Sequence, residues 1–120
     1  MRKVIVRPDA EADIEECADY TIGQWGHERA RRYVGELRRA MEGLATTALR
    51  YPLYDDVHPG LRRERSGKHQ IYYLAFTDRV EVLNVIHVQR DPGLHLKAET
   101  WADREEGIMP DQGDQIGLRH

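Results

Sequence analysis

From Pro8 to Ala48 the apolar residues recur at three- and four-residue intervals, with one break at "GQWG", Gly23 to Gly26. That period belongs to helices. Ala10, Ile14, Cys17, Ala18, Thr21, Ile22 and Trp25 form one stripe; Ala30, Tyr33, Val34, Leu37, Met41, Leu44 and Ala48 form the next. Pro8 suits a first helical turn, where no N–H is needed, and Asp9, Glu11 and Asp13 favour its exposed amides. Arg31, Arg32, Glu36, Arg38, Arg39 and Glu42 fall on the other side of the second stripe as a solvated face. Two amphipathic helices joined by a tight turn fold back as an antiparallel pair, and both stripes need a sheet to rest on.

The rest of the chain supplies that sheet. "KVIVR", Lys3 to Arg7, is a β-branched run stopped by Pro8. After a proline- and aspartate-rich loop, "RYPLYDDVHPG", three strands are predicted over Leu61–Ser66, His69–Thr77 and Arg79–Gln89. The links "SGK" and "TDR" are short enough for hairpins, with Gly67 free to take positive φ. In the last strand Val80, Val82, Ile86 and Val88 share one face while Leu83 and Val85 take the other, so this strand is expected inside the sheet. Asn84 needs a hydrogen-bond partner if buried. Tyr72 and Tyr73 point to opposite faces, one into the core and one exposed beside the cations. Trp25, Tyr33, Leu37 and Leu44 are assigned to the core between helices and sheet. The expected fold is α+β in two layers, β-α-α-β-β-β, with a helical hairpin packed on a mostly antiparallel four-stranded sheet.

A chain of 120 residues with 32% charged residues and one cysteine fits a single soluble domain without a disulfide. No run is long enough for a signal-peptide core or a membrane span, which reads as a cytoplasmic protein with no membrane partner. The net charge of −3 is unevenly spread. From Glu99 onward six acids face only Arg104 and Arg119, leaving residues 1–98 with 16 basic and 15 acidic groups. The division is a folded domain over 1–98 and an acidic, flexible segment over 99–120. "LHLKAETWADREE" carries a loose helical pattern at that junction. A body so close to neutral fits poorly with a protein living on phosphate contacts alone.

Chemistry is sought at "GLRRERSGKHQIYY", where Arg62, Arg63, Arg65 and Lys68 crowd a hairpin. Alternation puts Arg63 and Arg65 on one face, with Arg62, Glu64 and Ser66 on the other. Arg63 and Arg65 are then the pair without a neutralising acid, suited to an acidic surface. Such cations also serve simply to protect a sheet edge from aggregation. His87 in an apolar strand reads first as a hydrogen-bonded core histidine. The six histidines show no metal-ligand spacing, so no metal and no cofactor are expected. Cys17 on a buried stripe reads as inert.

Three stretches together carry a family resemblance: "VRPDAEADIEECADYTIGQWG", "ARRYVGELRRAMEGLATTALRYPLYDDVHPGLRR" and "KHQIYYLAFTDRVEVLNVIHVQRD". Over about residues 3–91 the chain resembles the RelE/ParE superfamily of type II toxin–antitoxin systems, and is closer to ParE in its "IHVQRD" finish and long helical hairpin. The resemblance implies a toxin that arrests growth by poisoning DNA gyrase, is not itself an enzyme, and is neutralised in a hetero-oligomer by an acidic ParD-like antitoxin. Target-binding residues would be Arg63, Arg65, Lys68, His69 and Arg90. The alternative is a RelE-like ribosome-dependent endoribonuclease acting on messenger RNA, with Arg63, Arg65, Lys68, His87 and Arg90 as its catalytic set. Gln70 stands where such a nuclease would place a phosphate-clamping arginine, and no tyrosine follows Tyr73. A third possibility is an inactive relic that only binds its antitoxin. Arg7 stands where the family favours a capping Ser, a loss of about 1 kcal/mol, with Asp9 offsetting part of it.

Overall fold

The computed structural model describes residues 1–54 and 57–96. Strand β1 (Lys3–Val6) leads into helices α1 (Pro8–Trp25) and α2 (His27–Thr47). Strands β2 (Leu61–Ser66), β3 (His69–Ala75) and β4 (Arg79–His87) follow, and a single turn, α3 (Pro92–His95), comes last. The loose helical pattern after α3 and the flexible acidic segment expected from residue 99 lie outside the described residues.

The sheet runs β1-β4-β3-β2. β4 pairs antiparallel with β3 and β3 with β2, while β1 lies parallel to β4. β4 is thus internal, as apolar residues on both its faces require. The helices turn at Gly26, whose φ of 94° lets its N–H close α1 on the Ile22 carbonyl while its own carbonyl accepts the first bond of α2 from the Ala30 N–H. Arg7 makes no capping bond. Its guanidinium instead lies 3.9 Å from the buried Glu81 carboxylate, which Arg79 also meets at 2.8 Å.

Ala10, Ile14, Leu37, Met41, Leu44 and Ala48 bring both helical stripes onto Ile71, Tyr73, Ala75, Val80, Val82 and Val85. Glu11 and Arg38 tie the helices together through two hydrogen bonds of 2.6 and 3.0 Å, an exposed pair worth about 1 kcal/mol at most. The Arg38 bond holds the Glu11 carboxyl below its ordinary range.

Three details depart from the sequence reading. Tyr72 pairs with Asn84 but Tyr73 with Val82, so Leu83 is an additional residue, a β-bulge. One inserted residue reverses the facing of all that follows. Val85 therefore joins Val80 and Val82 beneath the helices, and Ile86 joins Leu83 on the other side, the reverse of simple alternation. Tyr72 and Tyr73 are both buried, so neither is the exposed tyrosine expected beside the cations. Tyr54 and Val57 from the loop, with Leu96 after α3, cover the second sheet face over Leu61, Tyr72, Leu74, Phe76, Leu83 and Ile86. Trp25 is 62% exposed instead of core, with the Arg29 guanidinium 4.6 Å above its ring.

Pro8 ends β1, so β4 loses its parallel neighbour after Val82, whose carbonyl accepts from the Arg7 N–H. Asp13 of α1 takes over. Its Oδ2 accepts from the Val85 N–H at 2.8 Å and from Asn84 Nδ2 at 3.1 Å. Asn84 thereby finds the partner its burial demands.

Candidate target-binding surface

β2 is the edge strand that carries the cations, and its register with β3 sorts them. Arg62 lies opposite Tyr73 and Glu64 opposite Ile71, both on the helix side. Arg63 lies opposite Tyr72, on the far side, and Arg65 opposite Gln70 shares that face. Arg62 is fully buried and donates to the Tyr51 carbonyl at 2.6 Å, so its charge is spent inside the fold. Glu64 is half-buried and accepts from the Tyr51 hydroxyl at 3.2 Å; burial pushes its carboxyl above the ordinary range.

Arg63 and Arg65 make no ion pair with a described residue. The Arg63 guanidinium stacks 4.0 Å over the Tyr54 ring and donates to the Tyr72 hydroxyl at 3.5 Å. Stacking fixes the side chain without neutralising it, which lowers the entropy lost on meeting an anion. Arg65 is exposed and its Nε donates to the Gly67 carbonyl at 2.9 Å. Lys68 is exposed on the β2–β3 turn.

Tyr33 of α2 holds that turn in place. Its hydroxyl accepts from the Lys68 N–H at 2.9 Å and lies 2.6 Å from His69 Nδ1. The hydroxyl also lies 3.4 Å from the Ser66 carbonyl, so this one group ties Ser66, Lys68 and His69 of the turn to α2. Gly67 has a φ of 59°, and a Cβ there would lie 2.7 Å from the Tyr33 ring. Glycine is required twice over, for conformation and for space. Beside this contact an open cleft of about 330 Å³ is lined by Arg29, Arg32, Tyr33 and Glu36.

His69 and His87 lie opposite each other with ring centroids 5.3 Å apart. Both belong to the helix side, in phase with Ile71 and Val85. Burial first, then the His87 ring and the Arg90 charge, push the His69 pKa down to about 4. Nδ1 of His87 accepts from the Gln89 N–H at 3.1 Å. Arg90 reaches toward α1, 3.7 Å from the exposed Glu16 carboxylate.

The candidate residues are thus divided. Arg63 and Arg65 lie on one face of the sheet, His69, His87 and Arg90 toward the other, with Lys68 at the rim between them. Cys17 is half-buried, and burial pushes its thiol up, away from the reactive thiolate. No group of three or more His, Cys, Asp or Glu side chains among the described residues could hold a metal ion. No helix among them is long and apolar enough to cross a membrane. Exposed Tyr20 and Trp25 on α1 are a further feature that the helical period misassigned, at Trp25, or left unremarked, at Tyr20.

The family model described as "ParE toxin of type II toxin-antitoxin system, parDE" matches residues 4–92. Toxin ParE1 of Caulobacter vibrioides is 31% identical over 87 residues, covering 72% of this chain and 90% of that one. Toxin ParE1 of Mycobacterium tuberculosis H37Rv is 29% identical over 95 residues, covering 78% of this chain and 97% of its own. A solved structure described as the chromosomal ParDE TA system from P. aeruginosa shares the fold, with a TM-score of 0.64 at 17% identity over 72% of this chain and 96% of that one.

Proposed function

The chain belongs to the ParE toxin family of type II toxin–antitoxin systems, and from that premise we propose that it poisons DNA gyrase in the cytoplasm until a cognate ParD-like antitoxin covers it. The observation that supports a poison over a ribonuclease is the division of the cations and histidines between two sheet faces. Cleaving a phosphodiester in general acid–base fashion needs a phosphate clamp and a proton-transfer group converging on one phosphate. Here Arg63 and Arg65 face away from His87 and Arg90. The closest alternative base, His69, is already hydrogen-bonded to Tyr33 and stays neutral until about pH 4. Binding demands no such convergence. A protein partner can engage the stacked Arg63, the exposed Arg65 and the rim Lys68 from the β2 side, and Arg90 with His69 from the β4 end.

The antitoxin reading draws on the same chemistry. Tyr20, Trp25 and Arg29 at the hairpin tip combine exposed aromatic area with a cation, a composition enriched at interface centres. An acidic, amphipathic antitoxin segment matches both this tip and the cationic edge.

The test sets purified protein against gyrase and against a translating ribosome side by side. Supercoiling should stop and cleaved DNA should accumulate with increasing protein, while messages on ribosomes stay intact. Codon-position-dependent cuts in translated messages, with gyrase unaffected, would replace the proposal by the ribonuclease.

A further inference from the structure

The open cleft on α2 collects charge from two elements. Arg29 and Arg32 stand three residues apart, hence side by side on one helix face, and line it with Tyr33 and Glu36. The β2–β3 turn borders the cleft at Tyr33, whose hydroxyl holds the Lys68 N–H and whose ring abuts Gly67. Lys68 is exposed on that turn, and Arg65 is drawn back over it by the bond from its Nε to the Gly67 carbonyl. Arg29, Arg32, Arg65 and Lys68 make no ion pair with a described residue. The Arg29 guanidinium, 4.6 Å above the Trp25 ring, is ordered by stacking without being neutralised.

We propose that this cleft seats the phosphate backbone of duplex DNA, with Arg29 and Arg32 from α2 and Arg65 and Lys68 from the turn as its contacts. The choice of DNA over an acidic peptide rests on the gyrase reading, since that target works on a duplex. Charge fits the occupant. Four cations against the Glu36 carboxylate leave +3 here, in a chain whose net charge is −3. Guanidinium forks match phosphate oxygens in pairs, and a concave wall focuses the positive potential on its opening. Contacts to the backbone alone read no base edge, so binding is independent of sequence. Four contacts are few, and the near-neutral body adds nothing to them. The DNA contact is therefore weak alone and gains strength when a protein contact on the same target holds the duplex beside it.

Titrating a short fluorescent duplex with the full chain, without gyrase, reads the contact as anisotropy. With four phosphate contacts, affinity should fall against salt with a log–log slope of about −3.6, a loss of about 100-fold between roughly 50 and 200 mM. Arg29→Gln with Arg32→Gln should reduce the slope to about −1.8 and weaken binding at the lower salt by at least about tenfold. A second readout needs no variant: unlabelled duplex should shift the amide signals of Tyr33, Gly67 and Lys68 in the parent and leave those of β1 in place. No binding at about 50 mM salt overturns the proposal. So do shifts centred away from the cleft, and a folded double variant that binds as the parent does. Displacement of the duplex by poly-glutamate as readily as by unlabelled DNA overturns it in favour of an acidic protein, and a preference for single-stranded RNA overturns it in favour of that ligand. The two readings fail separately. Duplex binding in a protein that leaves gyrase untouched keeps the cleft and removes that target, while gyrase poisoning without duplex binding keeps the target and removes the cleft.

Discussion

Tyr33 and Gly67 are a matched pair. The hydroxyl of one serves the amide of Lys68 and the ring of His69, and the missing side chain of the other makes room for it. Tyr33→Phe removes the hydroxyl from the exposed Lys68 amide and the half-buried His69 ring, an expected loss of about 0.5–1.5 kcal/mol in urea unfolding. Gly67→Ala should be at least as damaging alone, because a positive φ costs about 1–2 kcal/mol before the clash with Tyr33 is counted. In a Tyr33→Ala background its cost should shrink toward that conformational part, a coupling that a double-mutant cycle measures. His69 gives a pH signature. Folded, it stays neutral down to about pH 4; unfolded, histidine protonates near pH 6.5. As pH falls from about 6.5 towards 4, the unfolded chain gains a proton that the folded chain lacks, so stability falls over that window and this contribution is constant above it. The difference in melting temperature between the parent and His69→Gln should change across this range and be flat at higher pH.

At the scale of elements, α1 depends on a carboxylate as well as on its stripe. Asp13 serves Val85 and Asn84 where β1 has ended. Burial pushes its carboxyl above the ordinary range, opposed by those two donors. Asp13→Ala strands both donors, with an expected cost of about 1–3 kcal/mol by chemical denaturation. Asp13→Asn keeps one acceptor oxygen and should cost less than half as much. The helical stripes were legible because a 3.6-residue period marks direction. The period does not mark cover, which is why Leu37 is fully buried while Trp25, on the same kind of stripe, keeps 62% of its surface. The expectation of one exposed tyrosine at Tyr72 and Tyr73 failed for the converse reason. Alternation put Tyr72 and Tyr73 on opposite faces, but the loop residues Tyr54 and Val57 cover the Tyr72 face as well.

For the whole molecule, element order and strand limits followed from β-branched runs, turns and breakers, with β2 agreeing residue for residue. The parallel placement of β1 beside β4 was left open by the sequence pattern, because the long connection through two helices permits either edge. The cationic pair was legible through period two. Its separation from His69, His87 and Arg90 was not, because that depends on one bulged residue in β4 and on the reach of Tyr33 from α2. The partner-facing role of these residues has a direct test. Arg63→Gln, Arg65→Gln and Arg90→Gln together should abolish gyrase inhibition and growth arrest. Stability should drop by no more than about 1–2 kcal/mol, since one stacked cation and one exposed ion pair are lost. Unimpaired toxicity with a folded protein would put the contact surface elsewhere.

The extra residue at Leu83 makes β4 a strand of mixed parity. Losing a single residue there would not merely shorten it: the valine under the helices and the isoleucine behind them would trade places, and the His87 ring would be carried to the Arg63 side. Length changes among relatives are therefore expected to fall in pairs within this strand, or to be banished to the loop before β2.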